Sequence, residues 1–178
     1  MTDDPLTRAQ KGDHGAFEQI LLSYEKMIYS IAYRYMENAE DAKDITQEAV
    51  IKIYHSLASC KAWESFKAWA ARITVNTALD ELRRRKNKQA VNLEDTCIAA
   101  PDGAPDEIAA SRETLRDILS AIHKLPDDYR TLIILRDLQG FTYDELSRAL
   151  SLPMGTVKSK LSRARISLQK ILEPSQNS

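Results

Sequence analysis

Basic and hydroxyl side chains recur between Lys158 and Arg165, within a stretch of helical periodicity. From Pro153 to Leu172 there are five basic residues and no acidic residue. Lysine and arginine neutralise phosphates and donate hydrogen bonds to base edges, and small hydroxyls donate to either. The chemistry available here is binding of duplex nucleic acid. The residues that would perform it are Lys158, Ser159, Lys160, Ser162, Arg163 and Arg165.

Two helices joined by a tight turn must position these side chains. The spacing of Thr142 and Glu145 predicts a reciprocal cap and a first helix over about 143–150. Pro153 breaks the chain, because it lacks an N–H donor and clashes with a preceding helical turn. Beyond Gly155 one apolar stripe predicts a second helix, formed by Val157, Leu161, Ala164, Leu168 and Ile171. This order is typical of a helix-turn-helix whose second helix enters the major groove.

An ordinary helical hairpin with a solvated charged face would show much of the same pattern. Three features favour DNA binding over that interpretation. The second helix lacks acidic residues, the small Ser159 and Ser162 lie among the cations, and the first helix is capped.

The charge of the whole chain is unevenly distributed. Its 178 residues, enough for one domain or two small ones, carry a net charge of −1. Residues 1–66 hold 7 basic and 11 acidic residues, 67–90 hold 7 and 2, and 91–117 hold 2 and 7. Affinity for DNA must therefore come from local patches, and the segregation indicates separate surfaces for separate partners.

Composition narrows the fold class and excludes several kinds of site. Only five glycines and long periodic segments predict an all-α protein. Cys60 and Cys97 have no C-x-x-C spacing and are expected to be free thiols, and the three histidines form no ligand cluster with them. We expect no metal, no cofactor and no enzymatic activity, since the sequence has no glycine-rich phosphate loop and no nucleophile with a plausible base. Without an apolar run of about 20 residues or a secretory signal, a soluble cytoplasmic protein is expected.

A helix predicted over about 39–57 has an unusual polar face. Asp44, Gln47, Glu48 and Ile51 lie opposite its apolar stripe. Such a face is often merely solvated, but an isoleucine among acids and amides gains nothing from exposure unless something covers it. This pattern favours a docking surface for a basic partner.

The next helix, predicted over 66–88 after a polar loop over 59–65, combines aromatic, cationic and amide side chains. Trp69, Arg72, Asn76 and Arg83 lie opposite an apolar side. Such a face can stack on bases and hold the phosphates of a single strand, although Trp69 is equally consistent with a core position. The basic run that begins at Arg83 and Arg84 fits a phosphate contact.

Residues 89–110 have no helical period. Pro101, Gly103 and Pro105 lie among acidic residues there. This composition predicts a flexible acidic linker between a first domain, 1–88, and a second, 111–178.

Three ordered stretches resemble a known family. They are DAKDITQEAVIKIYHSL, FKAWAARITVNTALDELRRRK and LPDDYRTLIILRDLQGFTYDELSRALSLPMGTVKSKLSRAR. They are similar to the two conserved domains of the extracytoplasmic-function (ECF, group IV) sigma factors of bacterial RNA polymerase, within the sigma-70 family. The resemblance covers nearly the whole chain, in the order sigma-2 domain, linker and sigma-4 domain.

The resemblance implies roles for particular positions. Asp44, Gln47 and Glu48, with Ile51 beside them, match positions that dock on the clamp helices of the polymerase β′ subunit. Arg72, Asn76 and the loop 59–65 match positions that melt and read the −10 promoter element, and Trp69, Arg83 and Arg84 are assigned to the same DNA. Lys158, Ser159, Ser162 and Arg163 match positions of the helix that reads the −35 element, with Lys160 and Arg165 assigned beside them.

The family also implies partners. They are core polymerase, through the β′ clamp helices and the β flap, promoter DNA, and an anti-sigma factor that can hold the protein at the membrane. Lys158 stands where relatives often carry arginine, and Ser162 where they carry a larger side chain. Because lysine presents a point charge rather than a bidentate fork, we expect a guanine contact from Lys158 to be weaker than one from arginine.

A stand-alone helix-turn-helix regulator is the alternative. It would bind duplex DNA without polymerase, normally as a dimer. The faces around Asp44 and Asn76 would then have no function.

Overall fold

A computed structural model describes residues 4–91 and 108–173, and every regular element in these two ranges is helical. The predicted all-α class is confirmed. The helices are α1 (Pro5–Gln10), α2 (His14–Met36), α3 (Ala39–Ser56), α4 (Trp63–Val91), α5 (Ile108–His123), α6 (Asp127–Ile133), α7 (Tyr143–Leu150) and α8 (Met154–Leu172).

Local sequence determines where these helices begin. Asp13 accepts a hydrogen bond from the Ala16 N–H at 3.0 Å, and Asn38 accepts one from the Asp41 N–H at 2.9 Å. Thr142 caps α7 with the reciprocal bonds predicted from its spacing to Glu145. Each cap satisfies a backbone donor that the first helical turn leaves without a partner.

The C-terminal half, α5 to α8, contains the predicted helix-turn-helix. α6 continues into a π-helical turn, Ile134–Leu138, and ends at Gly140, whose φ of 72° is a conformation that glycine adopts readily. Ser151, in the left-handed conformation, ends α7, and Pro153 precedes α8. Val157, Leu161 and Ala164 then bury the inner side of α8.

Two apolar clusters hold the chain together. One lies among α1 to α4 and includes Ile20, Ile53 and Phe66. The other joins α2, α3 and α4 to the C-terminal half, so that residues such as Val75 and Leu132 belong to one continuous core. The apolar side of α4 therefore faces the C-terminal half as well as its own.

Several predicted boundaries were wrong. The polar loop expected over 59–65 is shorter, because a 3-10 turn covers Leu57–Ser59 and α4 already begins at Trp63. The Trp63 ring, 5.8 Å from Phe66 and 6.0 Å from Tyr24, gives this earlier start an aromatic anchor. α1 was not predicted at all.

The linker predicted over 89–110 was too long at both ends, because 89–91 belong to α4 and 108–110 belong to α5. The rest of it, residues 92–107, lies outside the described residues, as does Cys97. The two domain boundaries stay predictions. In the described ranges, no helix combines the length and apolarity that crossing a membrane requires.

Candidate nucleic-acid interface

The exposed side of α8 carries four of the predicted DNA-contacting residues, and we call this set the α8 face. Lys158, Ser159, Ser162 and Arg163 are all exposed. The Lys158 ammonium lies 5.6 Å from the centre of the Tyr143 ring, and Ser159 donates a hydrogen bond to the Thr156 carbonyl. Burial of the opposite side of α8 orients these side chains outward together.

Two further predicted cations of α8 are held by acids. Lys160 Nζ lies 2.8 Å from Asp128 Oδ2, and this hydrogen bond keeps the pKa of Asp128 below its ordinary value. The Arg165 guanidinium binds Asp137 with two nitrogens, one of them 3.1 Å from the carboxylate, which raises the pKa of Arg165. Both acids come from the segment around α6, so these cations are engaged by their own half.

On α4, three predicted residues form a second surface, which we call the α4 face: Arg72, Asn76 and Arg83. All three residues are exposed to solvent, and each of them also lies beside the C-terminal half. Arg72 donates to the Ser151 hydroxyl at 2.9 Å, and Arg83 lies 3.6 Å from Asp127.

A cleft of about 320 Å³ separates the α4 face from the C-terminal half. Asn76 and Arg83 line one wall, and Leu150, Leu152 and Lys160 lie on the other. The structure thus brings a predicted −35 residue, Lys160, beside two predicted −10 residues.

Trp69 does not share this exposure. Its ring lies 5.7 Å from Phe66 and packs, half-buried, against the apolar cluster among α1 to α4. The structure supports the core interpretation that the sequence left open for this residue.

The basic run that follows Arg83 makes intramolecular ion pairs. Arg84 lies 2.6 Å from Glu81, and Arg85 lies 2.6 Å from Glu81 and 2.7 Å from Asp41. The Arg85 guanidinium, with a hydrogen bond from Asn38, lowers the pKa of Asp41 to about 2. Arg85 therefore ties the end of α4 to the start of α3.

A third exposed set lies on α3, and we call it the α3 face: Asp44, Gln47, Glu48 and Ile51. Ile51 is 57% exposed, whereas Ile45 and Ile53 on the other side of the helix are buried. Glu48 pairs with Lys52 at 2.7 Å. The α3 face is a negatively charged surface with an apolar side chain at one end.

The loop between α3 and α4 contributes a buried thiol. Cys60 is a free cysteine, only 3% exposed, and desolvation raises the pKa of its thiol. A thiol that is both buried and protonated is a poor nucleophile.

Sequence reasoning missed the acids that hold these cations. Asp127 and Asp128 reach Arg83 and Lys160, and Asp137 reaches Arg165 across 28 positions of chain. No periodic pattern links residues so far apart, so no sequence signal could have identified these pairs.

Comparison with known proteins gives matches over both halves. Sigma-70 region 2 matches residues 20–88, and Sigma-70, region 4 matches residues 115–168. The chain is 35% identical over 178 residues to RNA polymerase sigma-H factor of Pseudomonas aeruginosa, covering 95% of this chain and 92% of that protein. It is 34% identical over 184 residues to ECF RNA polymerase sigma-E factor of Escherichia coli K12, covering 98% and 96%.

Two solved structures share the arrangement of helices. The sigma factor RpoE of Bartonella quintana, in complex with the anti-sigma factor NepR, aligns with a TM-score of 0.66 at 26% identity, covering 90% of this chain and 98% of that chain. CnrH, in complex with the cytosolic domain of CnrY, aligns with a TM-score of 0.70 over 97% of both chains. At 21% identity, the CnrH match shows the fold alone.

Proposed function

The chain belongs to the extracytoplasmic-function sigma factors of bacterial RNA polymerase. We propose that its α3 face contacts core polymerase and that its α4 and α8 faces contact promoter DNA. On this proposal it binds core polymerase, directs it to promoters through the −35 and −10 elements, and assists strand opening. It acts as a non-enzymatic subunit in the cytoplasm.

The exposure of the α3 face is the observation that best supports a contact with core polymerase. An isoleucine that is 57% exposed beside three polar or acidic side chains has the composition of a docking surface. The clamp helices of β′ are its proposed partner, with Asp44, Gln47 and Glu48 supplying charge and hydrogen bonds.

Promoter reading is divided between the other two faces. The α8 face presents two cations and two hydroxyls on one side of a helix that follows a tight turn, which suits base edges in the major groove at −35. On the α4 face, Asn76 offers both a donor and an acceptor, so it can bind a base edge exposed by strand opening at −10.

The remaining partners follow from the family. One of the similar structures, RpoE of Bartonella quintana, is a sigma factor in complex with the anti-sigma factor NepR. We infer that an anti-sigma factor also controls this chain, with sequestration at the membrane as one form of that control. The C-terminal half is the proposed contact for the β flap.

Charge reversal of the α3 face tests the proposal. Asp44→Lys with Glu48→Lys is expected to abolish association with core polymerase while helicity and Tm stay nearly unchanged, because both side chains are exposed. The measurement is pull-down with core polymerase, followed by transcription from a promoter library, which also identifies the recognised sequence.

Glu18→Lys with Glu25→Lys is the matched control, since it makes the same charge change at exposed positions of α2. The control should bind polymerase like the wild type. Unchanged polymerase affinity in the α3 variant would refute the assignment, and DNA binding as a dimer without polymerase would support a stand-alone regulator instead.

A further inference from the structure

A short helix that precedes the matched family regions contacts the loop before α4. α1 ends at Gln10, whereas the match to Sigma-70 region 2 covers residues 20–88. The Gln10 side-chain Nε2 donates hydrogen bonds to the Leu57 carbonyl at 2.9 Å and to the Cys60 carbonyl at 2.8 Å. One amide therefore binds the 3-10 turn at its first residue and at the residue just after its last.

α1 is itself held firmly against the first half of the chain. Leu6 and Ala9 are buried in the apolar cluster among α1 to α4. The Asp4 side chain accepts a backbone hydrogen bond and so caps the start of the helix. Arg8 pairs at 2.6 Å with Asp13, the residue that caps α2. The amide that binds the loop therefore projects from an anchored helix.

The loop is buried on one side and exposed on the other. Leu57 and Cys60 are 5% and 3% exposed, whereas Ala58, Ser59 and Lys61 are exposed. Apolar burial holds the inner residues, and the bonds from α1 fix the directions of their two carbonyls. Because these backbone directions set where the intervening side chains point, α1 controls how the loop presents a hydroxyl and an ammonium outward.

The polarity of this contact is as specific as its position. The end of a helix leaves carbonyls without helical donors, and the Gln10 amide supplies donors to two carbonyls just beyond the end of α3. An acceptor in the same place would face two carbonyl oxygens and be repelled by them. The contact therefore requires a donor at position 10.

Base readout depends on a loop that is ordered before DNA arrives. Side chains that contact a ligand must be held within about 0.5 Å of the productive geometry by the residues around them. A loosened loop must be ordered during binding to the cognate base, which costs affinity, whereas contacts to phosphates carry no sequence information. Loosening should therefore reduce discrimination among −10 sequences more than it reduces total affinity for DNA.

We propose that Gln10 is a positioning residue for recognition of the −10 element. Its amide holds the loop before α4 in the conformation that presents Ser59 and Lys61 to the opened strand. α1 is thus a working part of the −10 reading unit. This proposal rests on the proposed function, in which the first half of the chain reads the −10 element.

The native thiol of Cys60 measures whether Gln10 orders the loop. In a Cys97→Ser background Cys60 is the single cysteine, and because it is buried a thiol reagent reaches it only when the loop opens. Gln10→Met removes the donor and keeps a side chain of similar length, so Cys60 should react roughly fivefold faster. Gln19→Met, the same change at an exposed position of α2, should leave the rate unchanged.

Promoter discrimination measures the consequence for recognition. With core polymerase and the −10 sequence that the promoter library identifies, Gln10→Met should lose roughly fivefold in the ratio of initiation on cognate to scrambled −10 DNA. Helicity, Tm, polymerase affinity and discrimination at −35 should stay unchanged. Gln10→Glu should lose at least as much, whereas Gln10→Lys should restore the ratio, because its ammonium donates to both carbonyls.

Three results would overturn the proposal. Unchanged Cys60 labelling in Gln10→Met would show that the amide does not order the loop. Faster labelling with an unchanged −10 ratio would show that loop order does not serve recognition, and equal behaviour of Gln10→Glu and Gln10→Lys would show that the donor is not what matters. A wild type with no preference for any −10 sequence would instead refute the proposed function, whatever the labelling rates show.

Discussion

The α4 face and the α8 face have similar chemistry but different surroundings. Both place cations and hydrogen-bonding groups opposite a buried helix side, and the sequence alone predicts a DNA contact for each of them. In the structure, the α8 face is open to solvent, whereas the α4 face contacts Ser151 and Asp127 of the other half. A residue's type indicates what it can bind, and its tertiary neighbours decide when that binding is possible.

The largest effect is expected for Asn76→Ala on the α4 face. This variant should bind polymerase and −35 DNA normally, but it should lose roughly 5- to 150-fold in promoter opening, since bidentate hydrogen bonds from an amide side chain to a base edge contribute about 1–3 kcal/mol. Permanganate footprinting of thymines near the start site measures this loss.

Asn87→Ala is the matched control, with the same chemical change at an exposed position of α4. A promoter with a pre-melted bubble should recover part of the initiation lost in Asn76→Ala. Opening equal to that of the wild type would mean that the α4 face is not the base-capturing surface. The loop before α4 would then be the surface assigned to that role.

The next effect distinguishes two arginines of α8. Arg163 is exposed on the α8 face, whereas Arg165 is held by Asp137. Arg163→Ala should lose about 1–3 kcal/mol of discrimination between cognate and scrambled −35 sequences if it contacts a base edge. Arg165→Ala should lose less discrimination, because that guanidinium must first leave its carboxylate.

Binding titrations on both sequences at several salt concentrations measure the difference. Equal losses on cognate and scrambled DNA, with a flatter salt dependence, would reassign Arg163 to a phosphate. A larger loss for Arg165→Ala than for Arg163→Ala would contradict the distinction between open and engaged cations.

The smallest effect concerns the basic run at the end of α4. The Arg85 guanidinium lowers the pKa of Asp41 to about 2, so the pair stabilises the fold above the ordinary pKa of aspartate and loses that contribution as the pH falls toward 2. Asp41→Asn should lower the free energy of unfolding at pH 7 by about 1 kcal/mol, since the pair is partly exposed.

Denaturant unfolding between pH 7 and pH 2 measures this effect, with Asp117→Asn, an exposed site on α5, as the control. The difference between Asp41→Asn and the wild type should shrink as the pH falls. If the difference in the free energy of unfolding stayed constant with pH, the Asn38 cap, rather than the ion pair with Arg85, would explain the contribution of Asp41 to stability.

The sequence by itself determined the family and every helix that we name except α1, although not every helix boundary. Periodicity, the Thr142 cap and the breaks at Gly140 and Pro153 are local signals, since each depends on residues a few positions apart. The family resemblance was confirmed because its motifs are contiguous stretches. The polar sides of α3, α4 and α8 could be predicted for the same reason.

Only the tertiary structure decided which of those side chains are free. The partners of Arg83, Lys160 and Arg165 lie 28 to 44 positions away, where side-chain type gives no information about distance. The half-buried position of Trp69 and the shared core between Val75 and Leu132 likewise depend on how helices pack. An amphipathic helix must bury its apolar side, but its sequence does not specify against which partner, and for α4 that partner includes the C-terminal half.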